Sequence, residues 1–128
     1  MLIERIEGKW IDTFVDVFTL CGVQPGEVCA ILSESQSRQV NVNLAELALQ
    51  RMGATPFHVV VPSPRQTAIV PARSTGASVA LGGLDPVIGA LASSSFVVDC
   101  TVEGLLHAPE LPTVLAGGNR ILMVSNEH

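Results

Sequence analysis

The residues best placed for chemistry lie on one short corner. Phe96, Val97 and Val98 form an apolar run that stops at Asp99, Cys100 and Thr101, and Glu103, Leu106 and His107 follow before Ala108, Pro109 and Glu110. A histidine just beyond a buried strand, with two carboxylates upstream that could orient its ring, is a general acid-base arrangement. Pro109 and Glu110 mark a helix start, because proline's missing N–H costs nothing in the first turn and an acid favours the positive end. That dipole end favours the neutral imidazole, the form able to accept a proton. A plainer reading stands beside this one, in which His107 caps the helix and Asp99 closes a turn.

Other chemistries find less support. Metal ligation needs three or four converging His, Cys, Asp or Glu side chains, and no spacing here matches a known site, so no metal is expected within the chain. His58 sits inside an apolar run and reads as a core or interface histidine. Cys21, Cys29 and Cys100 are odd in number, lack CxxC spacing and adjoin apolar runs, as buried free thiols of a reducing cytoplasm do. No GxSxG elbow supports a hydrolase triad. SESQSRQ at 33–39 stands where a nucleotide-binding fold carries GxGxxG, which argues against a dinucleotide. Its serines read first as helix caps and second as a small-anion site.

The elements that must carry the corner follow from periodicity. Ile3, Ile6, Trp10, Phe14, Val17, Phe18 and Cys21 recur at helical steps, with Gly22, Pro25 and Gly26 closing that first helix. Val28 to Leu32 reads as a strand. A second helix follows with Val40, Leu44, Leu47 and Met52 inward and Gly53 at its end. Pro56 to Val61 is the next strand, and Pro62 to Gly83 has no sustained pattern, as in loops that serve function or contacts. Asp85 and Pro86 open a short helix through Val87, Ile88 and Leu91, ended by Ser93 to Ser95. After the corner, a helix containing Pro112 stops at Gly117 and Gly118, and Ile121 to Val124 is the last strand.

Helices alternating with strands that lack period-2 patterning predict an α/β fold, a Rossmann-like, open, mostly parallel four-stranded sheet flanked by helices, in the order 2-1-3-4. Ligands of such sheets collect beyond the strands' carboxyl ends where the order reverses, which selects Ser33 to Ser37, Asp99 to His107 and Ser125 to His128. With 128 residues, 48% of them hydrophobic, residues 1–128 make a single domain. The net charge of −5 and the scattered arginines exclude a basic nucleic-acid surface. No apolar run approaches the roughly 20 residues that span a bilayer.

The corner also carries a resemblance. VVDCTVEGLLHAPELPTVLAGGNRILMVSNEH resembles the corresponding stretch of the 2,5-dihydroxypyridine 5,6-dioxygenase family of non-haem iron, ring-cleaving enzymes, and VNVNLAELALQRMGA at 40–54 fits more loosely. The chain is similar as well to the N-terminal domain of M29 metallo-aminopeptidases. The resemblance implies the N-terminal domain of a larger two-domain metalloenzyme, whose metal, Fe(II), or zinc or cobalt if peptidase-like, is held by an absent C-terminal domain. It implies that Leu106 and a catalytic His107 reach the active site of a neighbouring subunit, while Asp99 and Glu103, upstream on the same corner, are substrate-binding candidates from the residues alone. A small-molecule substrate and a homo-oligomer follow, and the 128-residue chain alone would be inactive. Cys100 to Gly104 depart from the family pattern. The alternative from the residues alone is a self-contained small-molecule-binding or oligomerisation module.

Overall fold

The computed structural model describes residues 8–35, 37–62, 85–101 and 111–124. Four runs rich in apolar residues become strands: β1 (Val28–Glu34), β2 (Thr55–Val61), β3 (Phe96–Asp99) and β4 (Arg120–Met123). All three neighbouring pairs are parallel, and the order β2-β1-β3-β4 is the expected one. The helices are α1 (Gly8–Leu20), α2 (Gln39–Arg51), α3 (Asp85–Ala92) and α4 (Leu111–Leu115). The chain is therefore an α/β fold with a parallel sheet flanked by helices.

Central position explains why β1 and β3 needed continuous apolar runs. Alternate side chains leave a strand on opposite faces, so Cys29, Ile31, Phe96 and Val98 join Phe18, Ala48 and Leu49 on the face covered by α1 and α2. Ala30, Leu32 and Val97 join Val61, Leu91 and Val114 on the α3 and α4 face. Phe18 is the hinge of the first cluster, meeting the rings of Phe14 and Phe96 edge-on at centroid distances of 5.9 and 5.6 Å. Burying each such side chain stabilises the fold by about 1.5–3 kcal/mol.

Several expectations are corrected. Trp10 is 39% exposed, and Ile11, about 100° further round the helix, packs against the core instead. Ile3 and Ile6 lie outside the described residues. Leu47 is at the surface, because α2 faces the sheet with Val42, Ala45, Ala48 and Leu49, whose small alanines let the helix sit close. His58 is not a core residue: it lies on edge strand β2, exposed, and its Nε2 bonds the Glu46 carboxylate of α2. β1 does not stop at Leu32, since Ser33 and Glu34 continue the pairing opposite Val60 and Val61. The patternless stretch lies outside the described residues from 63 onward.

The later punctuation holds. Asp85 and Pro86 begin α3, and Pro112 sits in the first turn of α4. Gly117 has a packing reason to be glycine, for a Cβ there would stand 1.9 Å from the Ala92 carbonyl oxygen.

Candidate functional site

β1 and β3 run side by side, with Leu32 opposite Asp99, so their carboxyl ends leave the sheet together. Beyond that point the chain turns to opposite sides, from β1 through α2 to β2 and from β3 towards β4. This is the reversal in strand order at which parallel sheets present ligand sites. The backbone ladder runs on past β3: the Cys100 N–H donates to the Leu32 carbonyl at 2.8 Å, and the Val124 N–H to the Asp99 carbonyl at 2.9 Å. The start of the corner is thus held from both neighbouring strands.

Side chains hold it further. Asp99 is fully buried, and its Oδ1 accepts the Thr101 N–H at 3.0 Å and the Thr101 hydroxyl at 2.6 Å. An aspartate bonding the backbone two residues on is the turn its short carboxylate favours, and it swings the chain off the strand. The turn-closing reading of Asp99 describes this oxygen. From the β1 side, Ser37 accepts the Glu34 N–H at 2.9 Å and donates to the Cys100 carbonyl at 2.6 Å. The expected serine cap of α2 is not made, for Arg38 occupies the cap position, where its side chain makes no capping hydrogen bond, and the Ser37 hydroxyl is committed across the rim. Ser33, Glu34, Ser37 and Thr101 are all buried.

The thiol at this rim is inert. Burial, and secondarily the Asp99 charge, push the Cys100 thiol up to about 12, while burial and then Glu27 raise Cys29 to about 11. Nucleophilic sulfur requires the thiolate, and burial disfavours that form in both residues near neutral pH. Ser33 and Glu34 fill the strand end that a glycine-rich loop would leave open to a pyrophosphate.

Of the residues singled out in the sequence, Asp99 stands at this rim, whereas Glu103, Leu106 and His107 lie outside the described residues. Ser37 and Thr101 fall within the segments selected as a crevice, but neither was singled out for the bonds it makes. The signal for Ser37 was its place in a hydroxyl-rich run directly after a buried strand. Among the described residues no group of three His, Cys, Asp or Glu could hold a metal, and one Asp99 oxygen is committed to Thr101. Among the described residues no helix is long and apolar enough to cross a membrane.

Comparison with known proteins agrees with this geometry. No curated protein matches the chain. The solved structure of a 2,5-dihydroxypyridine dioxygenase from Pseudomonas putida KT2440 matches with a TM-score of 0.80 at 28% identity, over 95% of this chain and 35% of that one. This chain therefore spans about a third of that protein's length. The NicX family model, 2,5-dihydroxypyridine 5,6-dioxygenase, matches residues 9–128. A match running from the first helix through the corner and the last strand leaves one conclusion, that this chain belongs to the 2,5-dihydroxypyridine 5,6-dioxygenase family.

Proposed function

We propose that this chain is the N-terminal α/β domain of a ring-cleaving dioxygenase acting on a small dihydroxylated aromatic ring of the 2,5-dihydroxypyridine type. The observation that carries the reading is the family match over residues 9–128, joined to a fold that covers 35% of a solved dioxygenase. Iron chemistry in this reading belongs to residues outside the chain, and no step is assigned to a metal here. The part played by these 128 residues is to hold His107 at the carboxyl rim, where its neutral imidazole takes a proton from a ring hydroxyl and returns it later. Leu106 and Glu103 border the ring, and Asp99 anchors the backbone from which the corner departs. A neighbouring subunit shares the site, so the enzyme acts as a cytoplasmic homo-oligomer.

The test is His107→Ala in the full-length enzyme, with ring opening of 2,5-dihydroxypyridine followed by loss of aromatic absorbance under oxygen. The expected loss in kcat is about 100-fold or more, the usual contribution of a positioned acid-base group. Unchanged turnover overturns the role of His107. Peptide hydrolysis without ring opening would move the assignment to the metallo-aminopeptidase alternative.

A further inference from the structure

We infer that the outer edge of β4 and the groove beside it are the surface on which a second copy of this chain docks, the two β4 strands pairing antiparallel about a two-fold axis at Leu122. The inference deepens the homo-oligomeric part of the proposed function and rests on neither iron nor His107. It begins from a difference between the two edges of the sheet. β2 and β4 are the outermost strands, and among the described residues no strand lies beyond either. The Thr55 N–H donates to the Glu27 carbonyl on the β1 side, and alternate residues of a strand point their backbone groups the same way, so Pro56, His58 and Val60 face outward on β2. Pro56 has no N–H to offer and the His58 ring is engaged by Glu46, which blunts that edge against further pairing. On β4 the Arg120 and Val124 N–H groups go to the Ser95 and Asp99 carbonyls, so Ile121 and Met123 turn theirs outward. Residues 120–124 contain no proline, lysine or acid, the usual guards of an exposed edge. Their one charge, Arg120, is already held by Glu27 and the Cys21 carbonyl.

Beside the open edge lies a groove of about 190 Å³ between α1 and β4, lined by Phe14 and Val17 and by Leu122, Met123 and Val124, with Thr13 its one polar side chain. Met123 is 43% exposed there. Unpaired backbone groups flanked by an apolar groove are what strand addition uses, the first for affinity and the second to take side chains. The edge is also its own complement. With Leu122 on the axis, Ile121 faces Met123 of the second copy and exchanges both N–H···O bonds with it, and Met123 does the same with the other Ile121. Leu122 then stands opposite its counterpart in the non-hydrogen-bonded position, where side chains approach most closely. Leu122 packs on the α1 side of the sheet, so each leucine helps to close the other copy's groove. Arg120 comes opposite Val124 of the second copy, and no like charges meet. A partner of different sequence would have to match this pattern separately, whereas a second copy brings it by symmetry.

The test is sedimentation equilibrium of the 128-residue chain, which should reach twice the 13.5 kDa chain mass as concentration rises to about 100 μM. Met123→Pro removes an outward N–H and no bond to β3, so the sheet keeps its ladder while the dissociation constant of the dimer rises at least about tenfold. Val60→Pro makes the same change at an outward position of β2 and should leave that constant within about twofold of the parent. If circular dichroism shows that either proline variant fails to fold, Met123→Lys and Val60→Lys replace the pair with the same expectations. Leu122→Cys reads the axis directly, because Cα atoms about 4.5 Å apart in that position suit a disulfide. Under oxidation this variant should give a covalent dimer that the parent does not give, and Leu122→Cys combined with Met123→Pro should lose it. A monomeric parent overturns the inference and leaves the edge to a strand of a longer chain or of another protein. A dimer indifferent to the Met123 variants, or Leu122→Cys without cross-linking, moves the interface to another face and overturns it as well. None of these results bears on ring opening, which His107→Ala tests separately.

Discussion

The two ends of the sheet close themselves in opposite ways. At the amino end, Arg120 of β4 reaches Glu27 just before β1 at 2.7 Å and the Cys21 carbonyl at 2.9 Å, with its guanidinium 5.7 Å from the centre of the Phe96 ring. Its side chain is 37% exposed and that of Glu27 is 24% exposed. At the carboxyl end, Asp99, Ser37 and Thr101 make their bonds out of reach of solvent. Half-exposed charges can trade partners for water at little cost, whereas buried neutral and acidic groups must keep theirs. The amino end is therefore tolerant closure, and the carboxyl end holds geometry.

The largest effect expected in the domain tests whether the amino end is tolerant throughout. Gly117 enters β4 by packing on the last residue of α3, where a Cβ would stand 1.9 Å from the Ala92 carbonyl oxygen and 2.9 Å from its carbon. The obstacle is backbone and cannot rotate away. Gly117→Ala should destabilise by about 3 kcal/mol or more, at the upper end for overpacking, read as a fall in the urea midpoint. An unchanged midpoint would mean that α3 and α4 can slide apart, and that this end is soft even where it looks close-packed.

One buried thiol at each end allows a more graded comparison. Cys29 is raised from 9.0 to about 11 and Cys100 from 9.0 to about 12, burial being the main cause of both. A pKa raised on folding means that the unfolded chain ionises first. The stabilisation is whole below pH 9 and is lost as pH climbs through the folded values, at roughly 1 kcal/mol per thiol for each pH unit. Urea midpoints between pH 8 and 10.5 should decline, and Cys29→Ala or Cys100→Ala should each remove about half of the slope. Asp99→Asn should leave most of the Cys100 share, since the aspartate charge is the lesser cause. A slope that vanished with Asp99→Asn would make the rim electrostatic rather than steric in character.

How far these features were legible in the sequence depends on whether their causes are local. Runs such as Phe96 to Val98, and stops such as Gly53, Gly118 and the Asp85, Pro86 pair, act within a few residues, so the strands, helices and their order could be read. Ser33 and Glu34 could not, because polar side chains suggested an end to β1 while backbone pairing with Val60 and Val61 carried it on. Trp10 and Leu47 satisfied the helical period, but which side of a broad apolar stripe meets the sheet is settled by neighbours such as Ala45 and Ala48. The site divides the same way. Asp99 was visible as the polar stop after an apolar run. Ser37 fell in a selected segment, but its bond was not legible, since its decisive partner is the Cys100 carbonyl in a distant segment and local chemistry favoured a helix cap. Glu103, Leu106 and His107 were selected by the corner's pattern and lie outside the described residues.

The smallest expected effect concerns the ion pair that represents the amino end. The Arg120 hydrogen bond, and then the Gln24 N–H, hold the Glu27 carboxyl below its ordinary 4.5. A depressed carboxylate stabilises the fold above that ordinary value, and its contribution fades as pH falls through the lower folded one. Because both partners are partly solvated, Glu27→Gln should cost only about 0.5–1 kcal/mol at pH 7, and raising the salt to about 1 M should shrink the difference further. Ser37→Ala at the other end carries no charge change, so its cost in stability should be salt-independent, about 1–3 kcal/mol for stranding a buried backbone group. Urea titrations of the two variants at low and high salt read both differences together. If the Glu27 cost proved the larger and resisted salt, the amino end would be the rigid one, and the contrast between tolerant closure and held geometry would have to be reversed.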